Sequence, residues 1–275
     1  ISADSMQIYK GMDIGTGKLP EWERLVPHWG FDIREPGEAY SASLFQEYAR
    51  SCFADIEVRG KRSVLAGGTG FYVRAAIDDY DFVSGEQVGN PVREKWAAFL
   101  AEHGSQALWD ALDERDAESA AIIHPNNSKR VLRALEMLEL DGVSYASQHE
   151  GLATLGQAVP ALFFGLSVDP ELLKKRINAR VDGMFEAGLV DEVRALCDQG
   201  FTEALTAREA IGYKEVVAAL EGRCSMEEAS EAIKLATRRY AKRQRSWWRH
   251  DERVRWVAAD DGDVARMADE IQQLL

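Results

Sequence analysis

Short apolar runs bounded by turn residues alternate along the chain with stretches whose apolar positions recur every three or four residues. The runs at residues 31–34, 63–66, 160–168 and 253–258 predict strands. After Ser41, which fits an N-cap, Leu44, Phe45, Tyr48, Cys52 and Ile56 repeat at helical spacing and lead into Ser63-Val64-Leu65-Ala66. A helix followed by a buried strand favours an α/β fold with a parallel sheet. Ile1-Ser2-Ala3 reads as the end of another buried strand that gives way to a polar loop.

Between Thr69 and Ala158 the pattern predicts helices and no strand. Val92, Trp96, Phe99 and Leu100 mark one, Leu108 and Leu112 a second, and Val131, Leu132, Leu135 and Leu138 a third. Residues 78–128 are therefore expected to form a helical insertion, with residues 1–77 and 129–275 as the α/β core. The run near Pro160 returns the chain to the sheet, and one long helix is expected from about Pro170 to Cys197. Ser225-Met226-Glu227-Glu228 is a capping box that opens a helix towards His250.

Composition narrows the function classes. No apolar run approaches the roughly 20 residues needed to span a bilayer, and the first residues lack a signal pattern, so a cytoplasmic protein is expected. Cys52, Cys197 and Cys224 are widely spaced and predict neither a disulfide framework nor a zinc site. The net charge of -13 opposes indiscriminate binding to nucleic acid. Yet KLATRRYAKRQRSWWR, from Lys234 to Arg249, holds seven basic residues and no acidic one. An acidic protein with one basic stripe would bind a polyanion at one place. The chain opens on Ile rather than Met, from which an upstream segment is expected.

Several positions carry candidate chemistry. Asp4 follows an apolar strand, where ligands of open α/β sheets sit, although a turn or N-cap role suits the same position. Ala66-Gly67-Gly68-Thr69-Gly70-Phe71-Tyr72 would let a ligand approach the backbone and aim a helix N-terminus at anionic oxygen; a plain strand-to-helix turn reads the same way. Arg176 and Arg180 lie four apart on one helix face. His28 and His124 have no metal-ligand spacing and are read as structural.

Taken together, these strings resemble the tRNA dimethylallyltransferases, also called tRNA isopentenyltransferases or the IPP transferase family. The opening ISADSMQIYKGMDIGTGK is similar to their D-S-x-Q-x-Y-x-G-M-D-I-G-T-x-K block, and Gly67-Gly68-Thr69 with Tyr72 to G-G-T-x-x-Y. Pro27-His28 with Asp32, Pro36 and Tyr40-Ser41 matches a third block. His124-Pro125 with Arg130, Arg133 and Glu136 matches a fourth. The string from Arg176 and Arg180 through Met184 and Gly188-Leu189 to Glu192-Val193, then residues 210–215 and 237–244, complete the set. The family also begins with a strand and a G-x-T-x-x-G-K-[ST] loop, a motif absent from these 275 residues.

The resemblance implies a P-loop NTPase-like α/β fold with a helical insertion, and transfer of dimethylallyl from its diphosphate to N6 of the adenosine at tRNA position 37, with Mg²⁺ as cofactor. It implies Asp4, Thr69 and Arg180 as catalytic residues, Asp4 as base and Arg180 facing the diphosphate. On the tRNA side it implies Asp4, Ser5, Met6, Gln7, Thr69, Arg93, Lys129, Arg130, Val131, Leu132, Arg133, Glu209, Ala210, Ile211, Gly212, Tyr213 and Lys214. The basic stripe adds Arg238, Lys242 and Arg245 as phosphate contacts to the anticodon arm. A monomer is expected, and without the loop, tRNA binding without catalysis. Prenylation of free adenosine phosphates and non-catalytic RNA binding are the alternatives; the insertion and the stripe count against the former.

Overall fold

The structure is a computed structural model that describes residues 1–82, 90–204 and 206–275, without the side chains of residues 151–154. Residues 83–89 of the expected insertion lie outside that part. The chain divides into two compact units, Ile1–Ile77 with Val159–Leu275, and Asp78–Ala158. Helices α1 (Ala42–Val58) and α2 (Gly70–Ile77) belong to the first unit. Helices α3 (Pro91–Asp113), α4 (Ala117–Ile122), α5 (Ser128–Asp141) and α6 (Tyr145–Thr154) make the second. The first unit then resumes with β1 (Phe163–Ser167), α7 (Pro170–Glu186), α8 (Leu189–Cys197), α9 (Tyr213–Leu220), α10 (Met226–Trp248), β2 (Val254–Ala258) and α11 (Val264–Gln273).

Strands β1 and β2 pair in parallel, with Phe163 opposite Val254 and Ser167 opposite Ala258. A parallel pair needs a long crossover, and the four helices α7 to α10 supply it. Arg253 secures the entry to β2: its guanidinium lies 4.4 Å over the Phe163 ring and bonds the Asp251 carboxylate at 2.7 and 2.8 Å.

The other two expected strands shrink to single parallel bridges, Tyr9 with Arg34 and Ser2 with Ala66. Asp32 adopts a left-handed φ of 56°, which breaks extension inside residues 31–34. Among the described residues, 63–66 pair only with residues 1–3, which turn off at Asp4, and Val64 is 71% exposed rather than buried. The single long helix expected from Pro170 to Cys197 is two helices, because Gly188 takes a φ of 99° between α7 and α8. Helix starts follow the sequence closely. The Ser41 hydroxyl accepts the Leu44 N–H, and Ser225 with Glu228 completes the capping box of α10.

The core of the first unit gathers Ile8, Tyr9, Met12, Phe45, Val181, Leu189, Val193 and Tyr213. Lys18 is buried beneath this layer, bonded to the Tyr9 carbonyl and to the carboxylates of Asp13 and Asp32, the latter two at 2.6 Å. In the second unit, Trp96, Leu108, Leu112, Ile123, Val131, Ala134 and Leu135 form a separate core. Gly104, with φ 83°, breaks α3 between the two apolar patterns read from the sequence. Because α5 turns Val131 and Leu135 into this core, the structural division falls after Ala158, whereas the sequence reading returned the chain to the α/β core at residue 129.

Candidate active site

Asp4 stands where residues 1–3 leave their pairing with residues 64–66. Its Oδ1 accepts the Met6 N–H at 2.8 Å and the Gln7 N–H at 3.4 Å, so one oxygen closes a tight turn. Oδ2 makes no hydrogen bond among the described residues. Burial raises the Asp4 carboxyl above its ordinary value, opposed by those two N–H donors and by the charge of Arg180. The turn reading and the reactive-group reading therefore describe different oxygens of one carboxylate.

Thr69 faces the same turn. Its Oγ1 accepts the Ser5 N–H at 3.1 Å and its own N–H donates to the Ala3 carbonyl at 3.1 Å. Helix α2 begins at Gly70. The glycines before it are demanded by contact. A Cβ on Gly67 would lie 2.4 Å from the Ala3 backbone, and one on Gly68 would meet the Gln244 amide. Gln244 donates to the Gly68 carbonyl at 2.9 Å, and the Trp247 ring lies against Gly70.

Residues 12–18 form the other wall of this region. Gln7 Nε2 donates to the Thr16 carbonyl at 3.1 Å, and an Arg180 Nη approaches the same oxygen at 3.5 Å. A Cβ on Gly17 would collide with the Arg180 guanidinium, and one on Gly15 with the Tyr213 ring. The structure thus brings Asp4, Ser5, Met6, Gln7 and Thr69 onto one connected set of turns, which Arg180 reaches from α7. Burial and the neighbouring Glu192 carboxylate hold the Tyr213 phenol protonated, pushing its pKa far upward.

The remaining expected residues divide by exposure. Lys214, in the first turn of α9, and Glu209, in the short 3-10 turn at Ala207–Glu209 ahead of it, are exposed, whereas Ala210, Gly212 and Tyr213 are buried and Ile211 is half-buried. The Tyr213 side chain is wholly buried and supports the fold beneath the loop. On α10, Arg238 donates to Asn178 at 2.7 Å and so braces α7. Lys242 and Arg245 are exposed and make no ion pair among the described residues. Lys234, at the start of the stripe, is neutralised by Asp182 and Glu231.

Within the second unit, Lys129 and Arg130 are exposed, Arg93, Leu132 and Arg133 half-buried, and Val131 wholly buried in the core. The Val131 side chain therefore helps hold α5 in place. Glu136, 1% exposed, accepts from Asn90 at 2.8 Å and Arg133 at 3.1 Å and lies 4.0 Å from Arg93. One buried carboxylate thus orients two of the expected arginines. Glu136 and Glu192 appeared in the sequence motifs without a role, since their partners lie up to 179 positions away. Gln244 likewise carries no local signal.

Among the described residues no cluster of three or more His, Cys, Asp or Glu could hold a metal ion. The described residues thus offer no site that would hold Mg²⁺ by side-chain ligands alone. No helix among the described residues is long and apolar enough to cross a membrane.

Comparison with known proteins identifies the family. The IPP transferase family model matches residues 7–251. A tRNA dimethylallyltransferase of Bacillus licheniformis is 46% identical over 93% of this chain and 81% of its own length. That of Geobacillus thermodenitrificans is 43% identical over 100% and 86%. Among solved structures, a tRNA delta(2)-isopentenylpyrophosphate transferase from Staphylococcus epidermidis is similar with a TM-score of 0.70 and 39% identity, covering 99% of this chain and 88% of that one. A eukaryotic dimethylallyltransferase acting on tRNA gives 0.80 and 26%, covering 99% and 71%. The α/β fold is P-loop NTPase-like, as in these transferases. With most of its length matched by the family model and by relatives above 40% identity, this chain belongs to the IPP transferase family.

Proposed function

We propose that this protein is a tRNA-modifying prenyltransferase that moves a dimethylallyl group from dimethylallyl diphosphate to N6 of adenosine 37, beside the anticodon. The observation that carries the reading is the Asp4 carboxylate, held by one oxygen and open at the other, beside Thr69 and within the electrostatic reach of Arg180. The exocyclic amine of adenine is a weak nucleophile because its lone pair is delocalised. As its nitrogen bonds the allylic carbon, that carbon's bond to the diphosphate oxygen breaks and the oxygen keeps the electron pair. The amine proton passes to Asp4 Oδ2. A carboxyl raised by burial is a stronger acceptor for that proton than an ordinary aspartate.

Charge accumulates on the departing diphosphate, and Arg180, carried by α7 beside the Thr16 carbonyl, supplies a preorganised counter-charge. By resemblance, a strand and glycine-rich loop contribute further diphosphate contacts in this family, and Mg²⁺ would act with that loop. The target base must leave its stack to reach Asp4, so a flipped adenosine is part of the proposal. Ser5, Met6, Gln7, Lys214 and Glu209 would line the RNA side in the first unit, and Arg93, Lys129, Arg130 and Arg133 would contact RNA from the second. Lys242 and Arg245 would hold phosphates of the anticodon arm. A monomeric, cytoplasmic enzyme belongs to the same proposal.

With the family's strand and phosphate-binding loop supplied ahead of Ile1, labelled dimethylallyl diphosphate tests this reading directly. Label on a tRNA adenosine supports it; label on free adenosine phosphate, with tRNA ignored, would replace it with the nucleotide-prenylating alternative.

A further inference from the structure

We propose that Glu192 and Tyr213 are positioning residues that fix the loop of residues 12–18 and, through its Thr16 carbonyl, set the Arg180 guanidinium. The inference rests on the transfer reaction proposed above only for the meaning of Arg180, not for the loop itself. Four donors converge on the Glu192 carboxylate. Oε2 accepts the Asp13 N–H at 3.1 Å and the Ile14 N–H at 2.8 Å, while Oε1 accepts the Gly15 N–H at 3.3 Å and the Tyr213 phenol at 2.6 Å.

Three consecutive backbone N–H groups on one anion form a nest, a geometry that needs both oxygens of a carboxylate. A glutamine keeps only one acceptor oxygen: with it on the Asp13 and Ile14 N–H groups, its NH₂ can donate to the Tyr213 phenol but is set against the Gly15 N–H. The loop is also locked sterically: the Tyr213 ring fills the space above Gly15, and Arg180 fills that above Gly17. Thr16, between those glycines, turns its hydroxyl to the Met12 carbonyl and its own carbonyl to Gln7 and Arg180. Hence α8, α9 and the loop meet at one carboxylate, and the loop's exposed side receives the arginine. Lys18 anchors the far end of the loop independently, so losing Glu192 frees the middle without unfolding the segment.

The test compares the 275-residue chain with Glu192→Gln, Tyr213→Phe and Glu192→Asp. Amide hydrogen exchange is followed at residues 13–17, and phenylglyoxal labelling of Arg180 is followed by mass spectrometry against all other arginines. In Glu192→Gln, exchange at residues 13–15 should rise about tenfold or more, as expected when the carboxylate charge and at least one of its four bonds are lost locally. Arg180 labelling should rise with it, while labelling of Arg176 and Arg238 on α7 and α10 stays unchanged. Tyr213→Phe, which keeps three donors, should give a smaller rise of both, and Glu192→Asp should restore part of the protection. Unchanged exchange in Glu192→Gln would overturn the loop assignment. Faster exchange with unaltered Arg180 labelling, or a rise at every arginine alike, would overturn the positioning role. Binding of tRNA by the wild-type chain is measured alongside: its absence would count against the functional reading, and exchange and labelling would still decide this one.

Discussion

The Gln244 amide donates to the Gly68 carbonyl at 2.9 Å, joining the basic end of α10 to the turn that carries Thr69 across 176 residues of sequence. The helix proposed to hold RNA phosphates is thereby tied to the turn proposed to face the reacting base. Adjacent glycines in that turn make different demands. A Cβ on Gly67 strikes backbone at Ala3, which cannot yield, whereas a Cβ on Gly68 strikes the flexible end of Gln244. Gly67→Ala should cost about 2 kcal/mol or more of stability and Gly68→Ala about 1 kcal/mol or less, on the usual scale of overpacking. Denaturant unfolding of both variants checks the order; equal losses would contradict it.

Asp4 links stability to pH. Its carboxyl is raised in the folded protein, chiefly by burial, so folding favours the protonated form. That contribution is fully present below the ordinary aspartate value and is lost as pH rises through the raised one. An asparagine side chain keeps an oxygen for the Met6 and Gln7 N–H groups without the buried charge. Asp4→Asn should therefore melt higher than wild type at neutral pH, and the gain should vanish in acid. Melting curves between pH 3 and 8 measure it, and a variant less stable at neutral pH would show that the charge stabilises the turn.

Arg238, Lys242 and Arg245 were grouped by spacing alone, and the structure separates them. Removing Lys242 and Arg245 should flatten the log-log salt dependence of tRNA binding by about 0.7 to 0.9 per residue. Arg238→Ala should instead loosen α7 from α10, lowering the melting temperature with the slope unchanged. Binding isotherms at several salt concentrations distinguish these outcomes.

Glu136 is the buried support of Arg93 and Arg133. Glu136→Ala should destabilise the protein by about 1 to 3 kcal/mol, at the low end because both arginines remain partly hydrated. Affinity for tRNA should fall with it, since two guanidinium groups lose their orientation. A variant of wild-type stability and affinity would make the contact incidental.

Much of this was legible in the sequence, for physical reasons that vary by element. Ser41 and Ser225 announce their helices because a cap is a local hydrogen bond between residues three apart. Gly188 was read past because the apolar period continues across it while the backbone does not. Residues 63–66 have a strand's composition, but a ladder depends on its partner, and no local pattern reports that. Asp4, Thr69 and Arg180 are singled out by motif resemblance, and their surroundings explain the nearby glycines. Tyr213 and Val131 stand inside matching motifs yet face the core, since a motif records which residues recur and not which way they point.

The central claim is that Asp4 takes the proton of a tRNA adenosine during prenyl transfer. Its most direct test is single-turnover transfer from labelled dimethylallyl diphosphate to tRNA. Wild type and Asp4→Asn are compared in otherwise identical protein that also carries the family's strand and phosphate-binding loop ahead of Ile1. The account predicts label on N6 of adenosine 37, with the Asp4→Asn rate lower by about 10²-fold or more and tRNA affinity little changed. Equal rates for the two proteins would contradict it, leaving Asp4 as the turn's cap and the proton with another acceptor.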